Sequence, residues 1–291
     1  MTAGCVHRPP PPLRSARLTV QRDAGGGFHP YVELKVAGKP IRLLVDTGAY
    51  RSVLPAGFAR ENQLRSQPSA FDDEVIDANG KLARMPLLSN VPVQFEGEES
   101  GTMDFLMSGS SRDFEGVLTP QDLVRPGGAI VIDLEHEELR SEPEQEALRK
   151  LREAATPVRK LEHHRCRDEG LFEHAHRVVS ATINGVAADM LIDTGASQTA
   201  LTRNNPAIPS MVEMQGARKT IGAMTSKGAG LLVEEVPLEF AGTRFVMPVY
   251  VQPVSTLCFK GVIGADVLRS CTLVWGNSDL WAACRARSPG E

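Results

Sequence analysis

The chain has 291 residues, 42% of them hydrophobic, and a formal net charge of −4. That supplies one large core or two modest ones. The acidic balance argues against a nucleic-acid surface, which needs a basic stripe, and no apolar run approaches the roughly 18 residues of a membrane span.

The chain opens on Ala3-Gly4-Cys5, then Pro9 to Pro12 and Gly25-Gly26-Gly27. Ala-Gly-Cys resembles the end of a bacterial lipoprotein signal, without the apolar stretch that precedes one. Two readings stay open: Cys5 is a lipid anchor outside the cytoplasm, or the match is accidental and the protein cytoplasmic. Residues 1–27 read as a Pro/Gly-rich tether.

Short β-prone runs follow at Tyr31 to Val36 and Ile41 to Val45, joined by the turn cluster Ala37 to Pro40. Val75 to Leu88 centres on Asn79-Gly80, a hairpin signal. A short helix fits Pro120 to Val124. Glu142 to Ala155 is built of good helix formers, with Leu148 and Leu151 as a narrow apolar stripe and Glu146–Lys150 as an i,i+4 pair. It reads as a linking helix stopped before Pro157, with charged, His-containing sequence after it. Val178 to Ile183 and Ala188 to Ile192 flank Asn184-Gly185, another hairpin. Thr220 to Val233 carries Thr225-Ser226-Lys227-Gly228, and a short helix fits Ala265 to Leu268. The class is all-β.

The second half repeats the first. Leu43-Leu44-Val45-Asp46-Thr47-Gly48-Ala49 matches Met190-Leu191-Ile192-Asp193-Thr194-Gly195-Ala196 at an offset of 147. His29 and Gly38 match His176 and Gly185 at the same offset. Further on, Val91 to Phe95 faces Val236 to Phe240, and Phe114 to Leu118 faces Phe259 to Ile263, at an offset of 145. So long a period means two lobes rather than a solenoid. The divisions are 1–27 tether, 28–140 first lobe, 141–171 charged helical linker and 172–291 second lobe.

These paired phrases resemble the retropepsin-like and pepsin-like aspartic proteases. Alanine after the glycine is similar to the retroviral type, while two lobes in one chain resemble pepsin; together they suggest a bacterial-type fused-lobe peptidase. Gly261-Val262-Ile263-Gly264-Ala265-Asp266 fits the family's second motif. Its counterpart carries Thr119 where Gly264 stands, and Tyr50 departs from the small or polar residue common there, to which Ser197 conforms. The resemblance implies two retropepsin-like β lobes with a cleft between them, and Asp46 and Asp193 as a catalytic dyad. It implies that Thr47 and Thr194 hydrogen-bond across the interface, while Gly48 and Gly195 make room for the turn. The hairpins at Asn79-Gly80 and Thr225 to Gly228 are flap candidates. An extended peptide or protein is the implied substrate, no cofactor is needed, and a monomer suffices.

Two carboxylates about 3 Å apart cannot both ionise cheaply, so they share a proton. The ionised member takes a proton from water, and the protonated one donates to the scissile carbonyl. Ala49 and Ala196 offer no hydroxyl to lower the dyad's pKa, which predicts a mildly acidic to near-neutral optimum. The competing reading is a non-catalytic peptide-binding protein that keeps the cleft.

His136, His163, His164, His174 and His176 match no metal-ligand spacing and read as solvated strand and linker histidines. Cys271 and Cys284 stand six residues either side of Asn277-Ser278, directly opposed if the turn is there. They form a cross-strand disulfide or remain two buried thiols. Cys166 and Cys258 have no partner that the sequence defends.

Overall fold

The computed structural model describes residues 13–22, 27–66, 73–76, 82–109, 116–154, 156–166, 176–211, 216–222, 227–253 and 258–286. In the first half these form β1 (Ser15–Arg22), β2 (Phe28–Val36), β3 (Lys39–Val45), β4 (Val53–Pro55), α1 (Ala56–Glu61), β5 (Asp73–Ile76), β6 (Leu82–Met85), β7 (Leu87–Gln94), β8 (Gly101–Ser108), β9 (Val117–Leu118), a 3-10 turn at Pro120–Leu123, β10 (Gly128–Asp133) and β11 (Glu138–Pro143). Between the halves come α2 (Glu144–Glu153), β12 (Val158–Lys160) and β13 (His163–Cys166). The second half adds β14 (His176–Ile183), β15 (Val186–Ile192), β16 (Ala200–Thr202), α3 (Ile208–Met211), β17 (Gly216–Gly222), β18 (Lys227–Phe240), β19 (Thr243–Gln252), β20 (Gly261–Ile263), α4 (Ala265–Leu268), β21 (Cys271–Gly276) and β22 (Leu280–Cys284). The protein is all-β.

The repeat in the sequence is a repeat in topology. In the first half β9 lies between β3 and β4, parallel to β3 and antiparallel to β4. In the second half β20 lies in the same way between β15 and β16. The chain must therefore loop over the end of an inserted short strand to pass from β3 to β4, or from β15 to β16. The two Asp-Thr-Gly-Ala phrases are those loops. The first hairpins also correspond: Ala37 and Gly38 turn with φ of 50° and 76°, Asn184 and Gly185 with 47° and 81°. Two successive positive φ values make the type I′ turn whose twist suits paired strands.

One sheet joins the halves. Its order runs β12-β22-β21-β10-β11-β1-β2-β3-β9-β4-β8-β7, so β21 and β22 leave the second half to pair with β10. An eight-stranded sheet holds the rest of the second half. Helix α2 covers part of the shared sheet, with Ala147 and Leu151 buried against Ala129, Val131, Val274 and Ala283. Its exposed face is tied by Arg149, which reaches Glu146 and Glu153 at 2.6 Å each. The Glu146–Lys150 pair is longer, at 3.8 Å, because Lys150 turns to Glu142.

Two expectations need correction. Part of the stretch read as a tether is β1, which pairs with β2 and β11. Its signal was the alternation Ala16, Leu18, Val20, in which fully buried Leu18 joins the core. The linker read as helical over 141–171 is helical only in α2, since β12 adds to β22 and β13 to β14. Residues 1–12, including Cys5, lie outside the described residues. No described helix is long and apolar enough to cross a membrane.

Candidate active site

The end of β3 is held by the parallel register of Val45 with Leu118, and the next amide, Asp46 N–H, donates to the Leu118 carbonyl at 3.0 Å. Asp193 N–H donates to the Ile263 carbonyl at 3.0 Å in the same way. Each aspartate then folds back on its own loop. Asp46 Oδ1 accepts from Gly48 N–H at 2.8 Å and Ala49 N–H at 2.9 Å. Asp193 Oδ1 accepts from Gly195 and Ala196 N–H, both at 2.9 Å.

The loops interlock through their threonines. Thr47 N–H donates to Thr194 Oγ1 at 3.1 Å, and Thr194 N–H donates to Thr47 Oγ1 at 3.1 Å. Each hydroxyl spends its own proton across the interface, Thr47 on the Ile192 carbonyl and Thr194 on the Val45 carbonyl, both at 2.7 Å. Both threonines are buried. With both amides and both hydroxyls matched across the interface, the pair is held rigidly, as satisfied buried networks are.

The glycines show how close the carboxyls come. A Cβ on Gly48 would lie 2.5 Å from Asp193 Cγ, and one on Gly195 would lie 2.5 Å from Asp46 Cγ. Each glycine is thus vacant because the opposite carboxyl occupies the space beside it. This space, rather than turn conformation, is why these two positions have no side chain. Asp46 and Asp193 hydrogen-bond to each other. Burial raises the Asp46 pKa, opposed by the bonds from Ala49, Asp193 and Gly48 and by the nearby His176. Burial raises Asp193 well above the ordinary carboxyl value, and the neighbouring charge of Asp46 raises it further. Burial thus favours the protonated form of both carboxyls, more strongly at Asp193.

Beneath each loop a hydroxyl and a carboxyl brace the turn. Thr199 donates from N–H and Oγ1 to Asp266, both at 2.8 Å, and accepts from Gly264 N–H at 3.1 Å. In the first half Ser52 does the same with Asp122, donating from Oγ at 2.9 Å and N–H at 3.2 Å. Thr119 N–H completes that set, donating to Ser52 Oγ at 3.0 Å. At the offset of 145, Gln121 rather than Asp122 aligns with Asp266. The 3-10 turn that begins at Pro120 moves the role on by one residue.

Thr119 has a reason of its own. Ala265 N–H donates to the Ala196 carbonyl at 2.7 Å, but the matching residue is Pro120, which has no N–H. The Thr119 hydroxyl supplies the missing donor, reaching the Ala49 carbonyl at 3.2 Å. Gln121, released from the carboxylate's place, donates to the Thr47 carbonyl at 2.7 Å.

Residues 32–118 match the family model described as gag-polyprotein putative aspartyl protease. Over this stretch the chain is similar to retropepsin-like aspartyl proteases. The match lies within the first repeat and ends before the second Asp-Thr-Gly-Ala phrase. No curated protein matches the chain. The matched stretch thus holds Asp46, Thr47, Gly48 and Ala49, and meets Asp193, Thr194, Gly195 and Ala196 from beyond the match.

The flap candidates are reached only in part. β5 pairs with β6 up to Ile76–Leu82, and β17 with β18 up to Gly222–Lys227, so a hairpin stands at this point of each repeat. The tips Asn79, Gly80, Thr225 and Ser226 lie outside the described residues, whereas the backbone of Lys227 and Gly228 opens β18. Among the histidines, His136 binds Asp133 at 3.0 Å and His164 lies 3.5 Å from Asp189; His163 meets the Ser278 carbonyl at 2.8 Å. His174 lies outside the described residues. His176 is not a solvated strand residue: half-buried, it packs its ring at 6.4 Å from Tyr50 and 5.5 Å from Phe259. Its only signal in the sequence was its place in the repeat opposite His29.

Two disulfides close the second half. Cys271 and Cys284 are directly paired and bonded. Cys166, which had no partner in the sequence, bonds Cys258 across 92 residues with Cα atoms 5.7 Å apart.

Proposed function

We propose that the protein is an aspartic endopeptidase in which a water held between Asp46 and Asp193 attacks a peptide carbonyl. The observation that carries this is the interlock of the two loops. The crossed bonds of Thr47 and Thr194 and the glycine-sized space beside each opposite carboxyl leave little freedom except for a shared proton. Ionised Asp46 takes the proton of the attacking water. Protonated Asp193 donates to the carbonyl oxygen as the tetrahedral centre forms. The proton then passes to the leaving amine as the carbon–nitrogen bond breaks, with no covalent intermediate. General acid–base assistance of this kind contributes about 10²- to 10⁴-fold, and a fixed water adds an entropic advantage.

The substrate is an extended peptide, which a β-rich cleft recognises by backbone pairing. One chain supplies both carboxyls, so a monomer suffices for the chemistry. Two disulfides support maturation in an oxidising compartment.

The test is cleavage of a diverse peptide mixture from pH 3 to 8 by the native protein, Asp46→Asn and Asp193→Asn. Each substitution should lower kcat/KM by about 10³-fold or more, with the native optimum mildly acidic to near neutral. Cleavage that survives both substitutions refutes the dyad. A folded protein that binds peptides and cuts none is a binding protein instead.

A further inference from the structure

Side chains alternate between two faces along the strand that leads to each aspartate. Leu43 and Val45 are buried in the main core, so Leu44 and Asp46 project from the opposite face. From Leu44 that face runs across the sheet in register, through Val117, Val53 and Leu106 to Leu87. The second half repeats the row residue for residue, as Leu191, Val262, Ala200, Tyr250 and Leu232. Each half thus presents one apolar row beside its aspartate, and the two rows are related as the aspartates are.

The rows differ in what covers them. In the first half Tyr50 and Met85 pack with Val53, Leu106 and Val117 in one cluster, which also takes in Ala49 from the aspartate loop. The Tyr50 ring is held from the second half by an edge contact with His176 at 6.4 Å. At the matching positions the second half has Ser197 and Gly230, and Ala200 stands in place of Val53. Tyr250, opposite Leu106, is the one larger residue of its pair. The second row accordingly falls into two clusters. Leu191 lies with Val178 and Phe259, and Ala200 lies with Leu232 and Tyr250, while Val262 packs against both. Ser197 has no ring to join them as Tyr50 joins the first row.

We propose that these unequal rows set the substrate preference: the second half accepts a large apolar side chain, while Tyr50 and Met85 restrict the first half to a small one. This rests on the protease reading above. An extended peptide lays its side chains alternately to either side, and a β-rich cleft reads them in pockets. The two rows are symmetry mates about the dyad, so they receive positions equally far from the scissile bond on opposite sides. Equal rows would take equal side chains. Here a bulky side chain placed against Tyr50 meets an already filled surface, and overpacking is costly. The peptide therefore lies in one direction only, with its larger side chain beside Ser197, Ala200 and Gly230.

Cut sites in a diverse peptide mixture test this, compared between the native protein, Tyr50→Ala and Ala200→Val. Native cuts should pair a large apolar side chain on one side of the bond with glycine, alanine or serine at the matching position on the other. Ala200→Val should lower kcat/KM for the peptides with the largest side chain by about 10- to 200-fold, the range for a methylene-sized misfit. Peptides with a smaller side chain there should lose much less. Tyr50→Ala should admit large side chains on the formerly small side, with a gain of the same order. A native profile of equal size on both sides, or one unmoved in whichever of the two variants folds, overturns this inference and leaves the protease reading standing. No cleavage by the native protein, or cleavage that persists in Asp46→Asn and Asp193→Asn, brings down the protease reading and this inference with it.

Discussion

The two repeats perform the same structural task with different residues. Where the second half uses glycine, a backbone N–H and a carboxylate in order, Gly264, Ala265 and Asp266, the first uses Thr119, Pro120 and Asp122. Pro120 removes a donor, the Thr119 hydroxyl restores it, and the brace moves one residue along. The lesson is that the conserved quantity is the set of satisfied hydrogen bonds around each aspartate loop, not the residue at each aligned position. A similar correspondence holds in the strands. Asn90 and Glu235, matched by the offset of 145, both sit near φ 55° where β7 and β18 break register.

The largest difference between the halves is covalent, because both disulfides involve only residues from Cys166 onward. Replacing Cys166 and Cys258 together by serine should cost about 4–5 kcal/mol, since the closed loop spans 92 residues. The same change at Cys271 and Cys284, 13 residues apart, should cost about 3 kcal/mol. Denaturant unfolding measures both, and equal losses would mean that chain entropy is not what separates them.

The braces differ next. Burial pushes Asp266 up from the ordinary 3.8 to about 6, despite the bonds from Thr199. The folded state therefore holds this proton more tightly than the unfolded chain does. Its contribution is fully present below about pH 4 and is lost as pH rises to about 6, a change of about 3 kcal/mol. Asp122 is raised for the same reason and acts in the same direction. Asp266→Asn should flatten the fall in unfolding free energy between pH 4 and 6; an unchanged slope would show that Asp266 stays ionised in the fold.

Removing the compensating hydroxyl by Thr119→Val should destabilise by about 1–2 kcal/mol, because the Ala49 carbonyl loses its donor. A neutral result would leave the altered 3-10 path, not the hydroxyl, as what makes the first half work. The smallest effect is expected at the first hairpin. Ala37 holds a left-handed conformation where Asn184 stands in the second half, so Ala37→Asn should stabilise by about 0.5–1 kcal/mol. Thermal unfolding would show the gain, and a loss would mean the two turns are not equivalent.

Much of the site was legible because it was written twice. Two Asp-Thr-Gly-Ala phrases at one offset, and Asn184-Gly185 with Ala37-Gly38, placed the aspartates at the ends of matched hairpins. The cross-strand pairing of Cys271 with Cys284 followed from simple symmetry about Asn277-Ser278. β1 was harder to see, since its alternation is short and runs among charged residues that suggest a spacer. The Cys166–Cys258 bond and the ring contact of His176 with Tyr50 were not legible at all. They join segments far apart in the chain, and no local pattern records which distant residues a fold will bring together.

The sequence alone thus determined the all-β class, the internal repeat, and the identity of the paired aspartates, because strand periodicity, turn chemistry and repetition are local properties. Tertiary structure decided what depends on approach: how the two loops interlock through Thr47 and Thr194, why Gly48 and Gly195 carry no side chain, and why both aspartates are raised, Asp193 the more. Those follow from burial and from charges brought close in space, and neither is a property of the chain before it folds.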